Sequence, residues 1–100
     1  MDFRIKRGDL NPTLATLLKE GQPVDLTGKT MQFRFKSRAG GIVQTAPVSI
    51  IEAGAGKVQI SWQSGQTDIT GYYIGEFVDS SGNIYPSEEF VEFEIITSIS

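Results

Sequence analysis

Along most of this chain apolar and polar residues alternate with a period of two. In TMQFRFKS, Met31, Phe33 and Phe35 fall on one side and Gln32, Arg34 and Lys36 on the other. In KVQISW, Val58, Ile60 and Trp62 alternate with Gln59 and Ser61, and in EFVEFEI, Val91, Phe93 and Ile95 alternate with Glu92 and Glu94. Near the start, Phe3 and Ile5 alternate with Arg4 and Lys6. In YYIGEFV the inward set is Tyr73, Gly75 and Phe77. Such alternation marks antiparallel strands with one buried and one solvated face. In PTLATLL the assignment places Leu14, Thr16 and Leu18 on one side, with Leu17 on the other.

Turn chemistry separates these runs: Glu20-Gly21-Gln22-Pro23, Ala39-Gly40-Gly41, Ala53-Gly54-Ala55-Gly56 and Ser80-Ser81-Gly82-Asn83. LATLLKEG is the nearest approach to a helix, but it is short, rich in strand formers and preceded by Pro12. The pattern predicts seven or eight strands, about 2–7, 12–18, 30–37, 42–51 (broken near Pro47 in the eight-strand count), 57–62, 71–79 and 89–97. The expected fold is all-β, an immunoglobulin-like antiparallel sandwich formed as a single domain over 1–100. A Gly-x-Tyr step, Gly71-Tyr72-Tyr73, follows Thr67-Asp68 and resembles the tyrosine corner of such sandwiches. Trp62 would cap one end of the core, and Leu26 would plug a sandwich end.

Composition narrows the chemistry. The 100 residues contain no cysteine and no histidine. Thiol–imidazole pairs, Ser-His-Asp triads and Cys/His zinc sites are therefore excluded. The 39% hydrophobic and 21% charged fractions are those of a globular protein. MDFRIKRG lacks the apolar run of a signal peptide, and no stretch reaches membrane-spanning length. The net charge is −3, but residues 1–50 carry eight basic and four acidic residues, whereas residues 51–100 carry Lys57 against eight acidic ones. Two readings of this split stand: strands from opposite chain ends pair their charges laterally, or the surface has two poles suited to head-to-tail assembly. Arg4, Lys6, Arg34, Lys36, Glu92 and Glu94 are the interface candidates on either reading.

Several short motifs invite sharper chemistry. Arg7-Gly8-Asp9 spells the tripeptide recognised by integrins, yet Gly-Asp before Asn11-Pro12 is also ordinary turn chemistry. Gly54-Ala55-Gly56-Lys57 falls short of a phosphate loop, which needs glycine and Ser/Thr where Ile51 and Val58 stand. Asp79-Ser80-Ser81-Gly82-Asn83 is half of a calcium loop without its distal glutamate. Glu88, Glu89, Glu92 and Glu94 supply carboxylates, but Glu92 and Glu94 lie on the wet face of a strand, and nothing marks a cleft. Arg34, Lys36 and Arg38 form a basic face too small for nucleic acid in a chain of pI about 4.8. No catalytic residue, metal site or cofactor is expected.

The ordered series IKRGDLNPTLATLLKEGQPVDLTG, then TMQFRFKS, then GKVQISWQSGQTDITGYYIGEFV resembles the N-terminal domain of the phage baseplate upper protein family. The shared features are KxGD, PTL and G-x-PVDLTG, then a strand of alternating aromatics, a G-K-V…W strand and a G-x-Y-x-x-EF strand. The acidic SEEFVEFEI departs from the pattern. The resemblance covers nearly the whole chain, and its force lies in the order of the motifs. It implies a non-enzymatic virion structural module that docks on tail, baseplate or capsid proteins, or on identical copies. Neither nucleic acid nor membrane would be a partner, and assembly would take place in the bacterial host cytoplasm. Edge strands would offer backbone groups for strand addition. The alternative is an adhesin or carbohydrate-binding domain, for which Tyr72 and Tyr85 are the outward-facing aromatics.

Overall fold

A computed structural model describes residues 2–85 and 90–99. Among them are ten strands: β1 (Asp2–Lys6), β2 (Thr13–Thr16), β3 (Leu18–Lys19), β4 (Gln22–Pro23), β5 (Met31–Ser37), β6 (Gln44–Glu52), β7 (Lys57–Ile60), β8 (Gly71–Asp79), β9 (Ile84–Tyr85) and β10 (Val91–Ile96). A 3-10 turn, Ala53–Ala55, joins β6 to β7. No helix of the described residues is long and apolar enough to cross a membrane. The fold is all-β, as the alternation predicts. Seven strands follow one another in a single curled sheet, in the order β1-β10-β8-β5-β6-β7-β2, with β9 added beside β8 and a separate β3-β4 hairpin.

The curl gives this sheet its sandwich-like, half-barrel character. Phe3 on the β1 edge reaches Trp62, just beyond β7, with ring centroids 6.2 Å apart. The Trp62 indole donates to Thr13 Oγ1 on the β2 edge at 2.9 Å. The tryptophan therefore does not cap an end of the core. It ties the two edges together, in contact with the rings of Phe33, Phe35 and Phe93 at 5.4–5.9 Å. Tilted and edge-on ring pairs of this kind add to simple burial. The inward residues of β5, β7, β8 and β10, Phe33, Phe35, Val58, Ile60, Phe77, Val91, Phe93 and Ile95 among them, are nearly or fully buried. Ile5, Leu26 and Met31 join them, and Phe3 packs half-buried on this cluster.

Four local expectations need correction. First, the sheet is not wholly antiparallel: β1 runs parallel to β10, with Phe3 beside Phe93 and Ile5 beside Ile95. Secondly, Leu14 and Leu18 are exposed, and Ala15 and Leu17 point inward instead. Register explains this parity. Thr13 and Ala15 pair with Ile60 and Val58, both inward-facing, and Thr13 is drawn to the indole. A one-residue slip would turn every β2 side chain over. Thirdly, the second strand stops at Thr16, because Leu17 leaves the ladder to bond Gly56 O and Val24 N. The β3-β4 hairpin then turns through Glu20 and Gly21, both at positive φ (53° and 79°), as a tight primed turn requires. Fourthly, β6 runs unbroken through Pro47, whose carbonyl accepts Ser61 N–H at 2.9 Å.

The tyrosine corner is present. Tyr73 Oη donates to Ile69 O at 2.6 Å and fixes the loop that feeds β8. Burial pushes the phenol pKa up. Tyr73→Phe keeps the ring, which stacks on Phe93 at 5.2 Å, and orphans the carbonyl. Urea denaturation should show a loss of about 1–2 kcal/mol; an unchanged midpoint would mean that the hydroxyl is idle.

Candidate docking surface

With alternate side chains buried, the remaining positions of β1, β10, β8 and β5 form one outer face. The register places them in rows. Arg4 pairs with Glu94, and Glu94 with Tyr72. Asp2 pairs with Glu92, Glu92 with Ile74, and Ile74 with Lys36. Glu76 pairs with Arg34. Basic strands thus lie on either side of two acidic ones, and the charge split of the sequence resolves into lateral pairing. Arg34 Nη2 meets Glu76 Oε1 at 2.6 Å, Arg4 Nε meets Glu94 Oε1 at 3.5 Å and Arg38 Nη1 approaches Glu92 Oε1 at 3.8 Å. Such half-exposed pairs contribute about 0–1 kcal/mol each. Their larger effect is to fix the pattern of charge presented outward.

All six interface candidates, Arg4, Lys6, Arg34, Lys36, Glu92 and Glu94, share the outward parity of this face. Lys6 stands at its margin, at the end of β1 opposite Ile96. A groove of ≈ 560 Å³ crosses the face between Arg34, Lys36, Val43, Ile74, Glu76 and Phe90. Val43 and Phe90 are more than half exposed, and Tyr72 is 60% exposed nearby. The same alternation that buries Tyr73 and Gly75 also turns Ile74 outward. Val43 and Phe90 were not legible as its neighbours, since strand order alone brings them together. Tyr85, the other outward aromatic expected, is half-buried, and its hydroxyl donates to Asp79 Oδ2 at 3.4 Å.

The remaining motifs resolve into local architecture. Arg7-Gly8-Asp9 is the bend after β1. Arg7 N–H donates to Ile96 O, Gly8 N–H to Thr67 O and Asp9 N–H to Lys6 O, while Asp9 Oδ1 accepts Asn11 N–H at 2.9 Å. In PVDLTG, Leu26 is fully buried, and Asp25 Oδ1 accepts both the hydroxyl and the N–H of Thr27. Those bonds, with the side-chain one strongest, lower the Asp25 pKa. Gly56 lies so near Leu17 O that a Cβ there would stand 2.6 Å from it; the glycine answers chain packing, and its N–H bonds Ala53 O.

The would-be calcium loop closes on itself. Asp79 accepts from Ser81 N–H, from the N–H and Nδ2 of Asn83, and from Lys29 Nζ at 3.1 Å. Burial pushes its carboxyl pKa up, but these bonds outweigh burial and hold it well below the ordinary value. Among the described residues, no three acidic groups gather as a metal site. Glu88 and Glu89 lie outside the described residues.

No protein-family model matches the chain, and no curated protein matches it. Among solved structures, the N-terminal domain of phage TP901-1 ORF48 is similar, with a TM-score of 0.66 over 95% of this chain and 82% of that one. The two sequences are 17% identical, so the likeness is one of fold.

Proposed function

We propose that this chain is a non-enzymatic phage structural module that docks on a neighbouring virion protein through the outer face of β1, β10, β8 and β5. The observation that carries the reading is the groove across that face, where Val43, Ile74 and Phe90 sit amid ordered ion pairs. An apolar centre with a charged surround is the make-up of a protein–protein contact: the centre supplies affinity and the charges supply register. The phage setting is supported by the fold shared with the phage TP901-1 domain and by the ordered motif series that resembles baseplate upper proteins. The lack of cysteine removes thiolate nucleophiles and the lack of histidine removes the commonest general base, and Glu76, Glu92 and Glu94 of the face are paired with arginines.

The test is incorporation into particles. Ile74 is half-buried on the outer face, so Ile74→Lys should leave the fold intact and spoil the apolar centre. Quantitative mass spectrometry of purified virions should show at least about a ten-fold loss of the variant, the cost expected when a contact's apolar anchor is removed. A folded Ile74→Lys chain present at the normal level would contradict docking through this face.

A further inference from the structure

Two features of this surface are complementary to each other, yet they do not meet within one molecule. The first is the groove. Arg34 is neutralised there by Glu76, but Lys36 makes no ion pair among the described residues. The groove is therefore an apolar cleft with one cation left over. The second is the loop before β8. Asp68 is exposed there and makes no ion pair among the described residues either, and Ile69 beside it is 72% exposed. Its apolar surface would be taken out of water by a partner seated on it.

This loop is also held rigid. Thr67 O accepts Gly8 N–H at 2.9 Å on one side of Asp68, and Ile69 O accepts the Tyr73 hydroxyl at 2.6 Å on the other. A projecting side chain on a loop pinned at both ends loses little conformational freedom on docking. Both features lie toward one end of the molecule: Lys36 pairs with Ile74 and Ser37 with Tyr73, only a few residues beyond the loop.

Resting on the docking reading above, we infer that the neighbour received by the groove is a second copy of this chain, with Ile69 seated among Val43, Ile74 and Phe90 and Asp68 paired with Lys36. Each copy carries both halves at the same end, so a two-fold axis makes the contact twice. The paired charges fix the register, and the buried isoleucines supply the affinity. The contact is small, which makes the dimer weak and concentration-dependent.

Sedimentation equilibrium of the full chain from about 10 µM to about 1 mM covers the range where so small a contact would saturate. The wild type should pass from monomer to dimer. Lys36→Glu and Asp68→Lys should each weaken association by about ten-fold or more, the effect of setting like charges together. The double variant K36E/D68K should recover it, because the swapped charges again attract. Ile69→Ser should keep the chain monomeric. Thermal melts of each variant show that it is folded. A wild type that stays monomeric to the top of the range, or a dimer that both single reversals leave unchanged, would overturn the self-contact. Docking on a different virion protein would survive that result, since particle incorporation of Ile74→Lys measures it separately.

Discussion

Gly75→Ala should unfold this protein more readily than any other single added methyl group in the sheet. Gly75 stands on β8 between Phe35 of β5 and Val91 of β10, at the centre of the sheet, and faces inward. Its missing side chain is the space into which the Phe33 ring projects. A Cβ built there would collide with that ring and would also lie 2.9 Å from Arg34 O. Neither can yield easily: Phe33 is fully buried among Phe35, Phe77, Phe93 and Trp62, and Arg34 O belongs to the sheet backbone. Overpacking of a close-packed core costs about 1–3 kcal/mol, and a clash with a locked ring belongs at the top of that range. For a domain of this size the midpoint should fall by about 12–24 °C. Differential scanning calorimetry measures it. Phe33→Leu in the same chain should recover part of the loss by vacating the space; a Gly75→Ala chain that melts like the wild type would show that the ring is not locked.

Asp79→Ala should be nearly as damaging, for the opposite reason: it removes a centre rather than crowding one. The Asp79 side chain is wholly buried and organises the β8-β9 hairpin by bonds to Ser81, Asn83 and Tyr85, while Lys29 Nζ anchors it to the loop before β5. Its loss leaves those donors unpaired, and the melting midpoint should drop by about 15 °C, as expected for several orphaned partners. Asp79→Asn would keep the shape but set an amide against the Lys29 ammonium, and should recover only part. The carboxyl also gives a pH signature. Its folded pKa lies below the ordinary 3.8, so its stabilising effect is full above that value and fades as the pH falls below it. Melting profiles should slope downward below about pH 4, and Asp79→Ala should flatten that slope. An equal slope in both proteins would assign acid sensitivity elsewhere, Asp25 being the other carboxylate held low among the described residues.

Much of this architecture is legible in alternation alone. Phe33 and Phe35, Val58 and Ile60, Phe93 and Ile95 are placed inward by a period of two, and Arg34, Lys36, Glu92 and Glu94 outward. The Gly71-Tyr72-Tyr73 step shows the tyrosine corner because its chemistry is local. What escapes the sequence is decided at long range. PTLATLL has leucines on both parities, so its face is chosen by β7 and by Trp62, whose indole reaches Thr13 across 49 positions. Alternation carries no direction, and so the parallel pairing of β1 with β10 is silent in it. The two-residue strands β3, β4 and β9 are too short to show a period. The outer face follows the same rule. Its charges are readable one strand at a time, but the groove exists only because β8 lies between β5 and β10.

On this reading the outer face of β1, β10, β8 and β5 is buried against another protein in a phage particle. Cryo-electron microscopy of the source virion would show that burial. The domain should appear as an all-β density in the particle, with Val43, Ile74 and Phe90 covered by a neighbour. A virion without such density, or a domain whose outer face is turned to solvent while another face makes the contacts, would contradict it.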